Sequence, residues 1–195
     1  MIRLLTYNLI CLIGPAGHGT PSPNFEITGG WGSIRTVADV GGGTGAMLAE
    51  ILHAHPHIKG ILIDQPETVA RSAEIFKSAG VSDRVATAGQ SFFDPLPSGA
   101  DLYLLRGIIN DWPDRESETI LRNCTTAAHS NGRVVILKSV QPDDTPKDLM
   151  IEMVLLGGKP RTVSEFTVLA RQSGLEVVCA GQQPDYFVVE CRPAG

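Results

Sequence analysis

VADVGGGTGAMLAEIL, residues Val37 to Leu52, passes from a short apolar run, through a turn of four glycines and a threonine, into a segment with helical apolar spacing. Val37 to Val40 fits a buried strand, GGGTG a tight turn, and Ala46 to Leu52 the opening of a helix. Gly41, Gly43 and Gly45 omit Cβ atoms where backbone must come close to a ligand, and the helix N-terminus behind them offers unpaired N–H groups to an acceptor. The stretch reads as a nucleotide-cofactor loop. Its plain alternative is a glycine-rich strand-to-helix turn with nothing bound.

Working outward, strands and helices alternate. The helix from Ala46 runs to His55 and is followed by the apolar strand Gly60 to Asp64. An amphipathic segment, Glu67 to Ala79, closes at Gly80. Arg84 to Ala88 is a third strand and Asp101 to Arg106 a fourth. Pro113 stands at the first turn of a helix reaching Ala128, with acidic residues near its start. Arg133 to Val140 is a fifth strand. Thr162 and Glu165 form a capping box that opens a helix to Ser173, with Gly174 behind it. LEVVCAG and YFVVEC then close the chain as a hairpin at the sheet edge. Repeated strand–helix units predict an α/β fold: a doubly wound, mainly parallel sheet with helices on both faces.

Such a sheet takes its ligand outside the C-terminal ends of the strands. After the first strand come the glycines, and after the second, about 20 residues further on, comes Asp64 with Gln65 behind it. A carboxylate there can accept both ribose hydroxyls of an adenosyl group; alternatively it serves only as a cap before Pro66. Gly41-x-Gly43-x-x-Ala46 also fits a dinucleotide fingerprint, so a nicotinamide cofactor remains open at this level.

The segments DPLPSGADLYLLRGIINDWPDRESETILRNC (Asp94 to Cys124) and EMVLLGGKPRTVSEFTVLARQSGLEVV (Glu152 to Val178) follow VADVGGGTG and LIDQPE in order. Together they resemble the plant-type and hydroxyneurosporene-type O-methyltransferases that use S-adenosylmethionine, over roughly Trp31 to Arg192. The resemblance implies a class I methyltransferase sheet, Rossmann-like, with an antiparallel last strand. It implies S-adenosylmethionine as cofactor and S-adenosylhomocysteine as product. Gly41, Gly43 and Gly45 would pass the methionine moiety and ribose, and Asp64, with Gln65, would hold the ribose. Ser91 and Phe92 would sit at the adenine, and Arg106 near the cofactor. For Phe92 the alternative is core packing, and for Arg106 a solvated strand end.

The catalytic positions depart from that pattern. The family's His-Asp-Trp triplet, whose histidine takes the acceptor's proton, is here Asn110-Asp111-Trp112. A phenol has a pKa near about 10, and an amide cannot serve as its base. Two assisting acids are replaced as well, one by Lys138 and one by Pro160 in GGKPRT. Transfer can then proceed by proximity to an acidic acceptor that needs no base, or with Lys138 or Asp111 as the base. The resemblance implies methylation of a hydroxyl on a small aromatic or polyketide-like metabolite. Asn110 would orient the acceptor, Asp111 and Trp112 would support it, and Met153 and Leu156 would line an apolar wall. The competing reading is a cofactor-binding relative that has lost or exchanged methyl transfer, as a non-methylating enzyme or a partner domain.

Composition bounds these readings. The 195 residues, 43% hydrophobic, suffice for one substantial core. A net charge of −5 without any basic cluster argues against a nucleic-acid partner. The run Leu4 to Ile13 is too short to span a bilayer and lacks a cleavage signature. Residues 1–30 read as an irregular lead-in and 31–195 as the cofactor-binding domain. Family members carry an N-terminal helical domain, so the resemblance implies a homodimer or a partner chain that supplies the corresponding region. Cys11, Cys124, Cys179 and Cys191 form no CxxC pair and read as reduced core thiols of a cytoplasmic protein. His53, His55 and His57 lie at a helix end without Cys or carboxylate at ligand spacing. They read as surface residues, as does His129, and no metal site is expected.

Overall fold

A computed structural model of the chain describes residues 22–146 and 157–195. Its centre is a seven-stranded sheet of order β3-β2-β1-β4-β5-β9-β8. Strands β1 (Thr36–Val40), β2 (Lys59–Asp64), β3 (Val85–Gly89), β4 (Leu102–Arg106) and β5 (Arg133–Leu137) pair in parallel. The chain then closes with β8 (Leu175–Gln182) and β9 (Phe187–Pro193), and β9 inserts antiparallel between β5 and β8. The last strand is therefore interior to the sheet, with its hairpin partner β8 at the edge.

Period-two alternation divides the sheet's side chains between two apolar layers. On β5, Val134 and Ile136 face one layer and Val135 and Leu137 the other. The first layer holds α4 (Asp114–Ala127) through Ile120, Leu121 and Cys124, and α5 (Val163–Gln172) through Phe166 and Leu169. The second holds α1 (Ala46–Ala54) through Leu48, Ile51 and Leu52. Each such side chain contributes about 1.5–3 kcal/mol by leaving water.

Several expectations are corrected. The segment Glu67 to Ala79 is not one helix but two, α2 (Pro66–Val69) and α3 (Ala73–Ser78). Between them the Ser72 hydroxyl donates back to the Val69 carbonyl, a local bond that competes with helix continuation. The fifth strand stops at Leu137 rather than Val140, because Lys138 takes a left-handed backbone (φ 59°). The chain resumes as β6 (Val140–Gln141), paired in a separate ladder with β7 (Arg161–Thr162). Cys179 is exposed on the edge strand, while Cys124 and Cys191 are buried thiols. Cys11 lies outside the described residues. The Thr162–Glu165 capping box is present in both directions.

The described part of the lead-in is irregular but packed. Phe25 and Ile27 are buried in the second layer. Buried Glu190 on β9 accepts from the Thr28 amide (2.7 Å) and from Arg133 (3.2 Å). His55 stacks on Trp31 at 4.7 Å, and His57 is within hydrogen-bond distance of the Trp31 carbonyl, which explains this histidine cluster by packing.

Candidate functional site

The glycine loop opens at the C-terminal end of β1. Gly41, Gly43 and Gly45 all have positive φ. A Cβ at Gly41 would sit 2.6 Å from Ile108 Cδ1 and 3.3 Å from Phe92 Cε1, so this position is filled by protein. A Cβ at Gly43 would meet nothing within 4 Å. Gly43 thus faces open space with its backbone, as a ligand-cradling position requires.

Asp64, at the end of β2, accepts from the Gly43 amide at 2.8 Å and from the Gln65 amide at 2.7 Å. Gln65 acts here through its backbone. Burial raises the Asp64 pKa, and the amides of Gln65 and Gly43 oppose the shift. The Thr68 side chain also donates to this carboxylate, which leaves it capacity for a further donor such as a ribose hydroxyl.

Asp39 was not singled out by sequence, although it is the one charged residue in VADV. Its Oδ2 is buried without a hydrogen-bond partner, and a Cβ at Gly42 would lie 2.4 Å from it. Burial and the nearby Asp64 charge push its pKa up to about 7, against the pull of Arg106. Two carboxyl groups beneath one loop favour a cationic ligand. Ser91 is half-buried beside Phe92, which is buried and packs edge-on to Trp112 at 6.0 Å. Arg106 ends β4 close enough to Asp39 and Lys138 to affect both electrostatically.

Asn110 lies in a single 3-10 turn, Ile109–Asp111, just beyond β4. It is 3% exposed. Its Oδ1 accepts from the Ser139 hydroxyl at 2.8 Å, and its Nδ2 donates to Asp111 Oδ1 at 2.8 Å. Lys138 is not the residue that reaches Asn110. Continued strand alternation would carry residue 138 to the Asn110 side, but the left-handed backbone reverses it. The ammonium lies 5.6 Å from the centroid of Tyr186, in the opposite layer, and burial followed by Arg106 lowers its pKa. Met153 and Leu156 fall outside the described residues.

A second residue that sequence reading passed over is Arg161, in the same GGKPRT segment quoted for its proline. It is 1% exposed and donates to the Ile109 carbonyl (2.6 Å) and the Trp112 carbonyl (2.8 Å). It also bonds Asp114, which Lys159 contacts too. The Ser117 hydroxyl reaches the same two carbonyls. The turn carrying Asn110 is therefore gripped from both flanks. Ile108 over Gly41 joins this turn to the glycine loop.

Sheet order, reversed inner strand and open glycine loop define a class I methyltransferase fold. The O-methyltransferase domain model matches residues 28–176, and the chain belongs to that family. A 2,7-dihydroxy-5-methyl-1-naphthoate 7-O-methyltransferase from Streptomyces carzinostaticus is 38% identical over 77% of this chain and 46% of the relative. The aclacinomycin 10-hydroxylase RdmB of Streptomyces purpurascens is 37% identical over 74% and 41%. The crystal structure of the O-methyltransferase NcsB1 with S-adenosylmethionine and 2-hydroxy-5-methyl naphthoic acid superposes with a TM-score of 0.78, at 32% identity over 98% of this chain and 56% of that one. The chain spans about half the length of the curated relatives it matches. Among the described residues no helix is long and apolar enough to cross a membrane.

Proposed function

We propose that this chain binds S-adenosylmethionine and transfers its methyl group to a hydroxyl of a small aromatic or polyketide-like acceptor. The observation that carries the reading is the pairing of an open Gly43 with Asp64, whose carboxylate both holds that loop and retains acceptor capacity for a ribose hydroxyl. The paired burial of Asp39 and Asp64 supports a cationic cofactor over an anionic dinucleotide, whose phosphates they would repel. When bound, the cofactor supplies an electrophilic methyl group. Gly43 lines its approach, Gly41 and Gly45 let the loop pack closely on Ile108 and Phe76, Ser91 and Phe92 flank the adenine end, and Arg106 borders the site. Asn110 orients the acceptor oxygen, with Asp111 and Trp112 supporting it. Lys138, turned toward Tyr186, is set aside as the base. The bacterial aromatic O-methyltransferases among the relatives support this acceptor class more than the plant-type branch. A homodimer or a partner chain completing the acceptor pocket is part of the same reading.

The test is transfer of isotopically labelled methyl from S-adenosylmethionine to a panel of hydroxynaphthoates and hydroxyquinones. Label recovered on an acceptor oxygen supports the reading. Label that stays on the cofactor with every acceptor, in both the native protein and Asn110→His, overturns it and returns the site to the non-methylating alternative.

A further inference from the structure

The Asn110 amide is oriented by its neighbours. Asp111 is a carboxylate and only accepts, so the amide atom 2.8 Å from it is Nδ2. The opposite end, Oδ1, then receives the Ser139 hydroxyl at 2.8 Å. One N–H of Nδ2 is used by Asp111, and the other has no protein partner among the described residues, on a side chain that is 3% exposed. A buried donor of this kind calls for a ligand acceptor. The turn cannot readily swing to satisfy it, because Arg161 and Ser117 hold the carbonyls of Ile109 and Trp112 on either side.

We propose that Ser139 and Asp111 lock Asn110 as a hydrogen-bond donor to an acceptor oxygen that is already anionic. The site then selects phenols and enols acidic enough to ionise near neutral pH. This inference rests on the methyl-transfer reading above. A neutral phenol brings a proton that must be lost, and the Asn110 amide oxygen, which holds the Ser139 hydroxyl, is too weakly basic to take it. An ionised oxygen brings none, and it takes the unpaired N–H as a charge-assisted bond. Transfer balances without a base: the oxygen's electron pair forms the new O–CH3 bond, the S–CH3 bond breaks, and its pair remains on sulfur as a neutral thioether. Ser139 is a positioning residue, acting through Asn110.

The test compares 2-naphthol, neutral in solution at pH 7, with the stronger acid 1-nitro-2-naphthol. Each is titrated calorimetrically into the protein loaded with S-adenosylhomocysteine, in two buffers of different ionisation heat. The expected result is that the nitro compound binds about tenfold tighter or more, and that 2-naphthol releases close to one proton on binding. Ser139→Ala and Asn110→Leu should reduce the preference to about threefold or less and abolish the proton release, with cofactor affinity unchanged; Ser139→Thr should retain both. Equal affinities, absence of proton release, or failure of either probe to bind the loaded protein would overturn the proposal. Proton release without methyl transfer to any ionised acceptor would instead count against the methyl-transfer reading.

Discussion

The glycine loop and the Asn110 turn adjoin through Ile108, yet they are built in opposite ways. Beneath the loop, polar groups are left incompletely satisfied: Asp39 Oδ2 is buried and unbonded, and Gly43 faces open space. At the turn nearly everything is committed. Arg161 and Ser117 share two carbonyls, Asp111 and Ser139 take the Asn110 amide, and a Cβ at Gly158 would strike the Asn110 carbonyl oxygen at 2.2 Å. Ligand chemistry explains the difference. A loop that receives a charged cofactor keeps unsatisfied charge and space for it, at a cost in stability. A turn that must aim one side chain at a reacting atom is better rigid before the ligand arrives.

Substitutions should separate the two regions. Arg161→Met takes the charged donor away from two buried carbonyls, leaving them one shared hydroxyl, and should lower unfolding stability by about 3 kcal/mol in urea denaturation. A loss under about 1 kcal/mol would mean that Ser117 alone secures the turn. Under the loop, Asp39 has a pKa of about 7 in the folded state against an ordinary value of 3.8. Between those values the native state binds a proton that the unfolded state lacks. The group's contribution therefore falls as pH rises from about 4 to about 7 and is flat above. Asp39→Asn should remove that slope, changing the wild-type-minus-variant stability by about 4 kcal/mol across the window. A parallel pH dependence in the two proteins would show that the loop carries no such stored charge.

The next effect is on binding rather than folding. Asp64→Ala should weaken S-adenosylmethionine binding by about 2 kcal/mol, roughly 30-fold. Its stability should change by about 1 kcal/mol or less, since the Gly43 and Gln65 amides can turn to water. The smallest effect is expected away from both regions: Cys179→Ser on the exposed edge should alter stability by less than about 0.5 kcal/mol.

Much of the fold was legible because its signals are local. The glycine turn, the Thr162 capping box and the closing hairpin each depend on a few adjacent residues, and each formed where its pattern lies. The Gly43–Asp64 contact was legible for the same reason, since Asp64 follows the glycines at a spacing set by one strand–helix–strand unit. The turn half was not. Ser139 meets Asn110, and Arg161 meets Ile109 and Trp112, only after the sheet and the β6–β7 ladder have assembled. A single left-handed residue, Lys138, reversed the face on which one of the two candidate bases lies, and period-two reading has no means of foreseeing that. Asp39 did carry a signal, a lone carboxylate in a buried strand.

The most direct test of the central claim is a calorimetric titration of the chain with S-adenosylmethionine, S-adenosylhomocysteine and NAD. Saturable binding of the first two, weakened roughly 30-fold in Asp64→Ala, with no heat from NAD, is the predicted result. Binding of NAD instead, or no binding of any of the three by a folded sample, would contradict it.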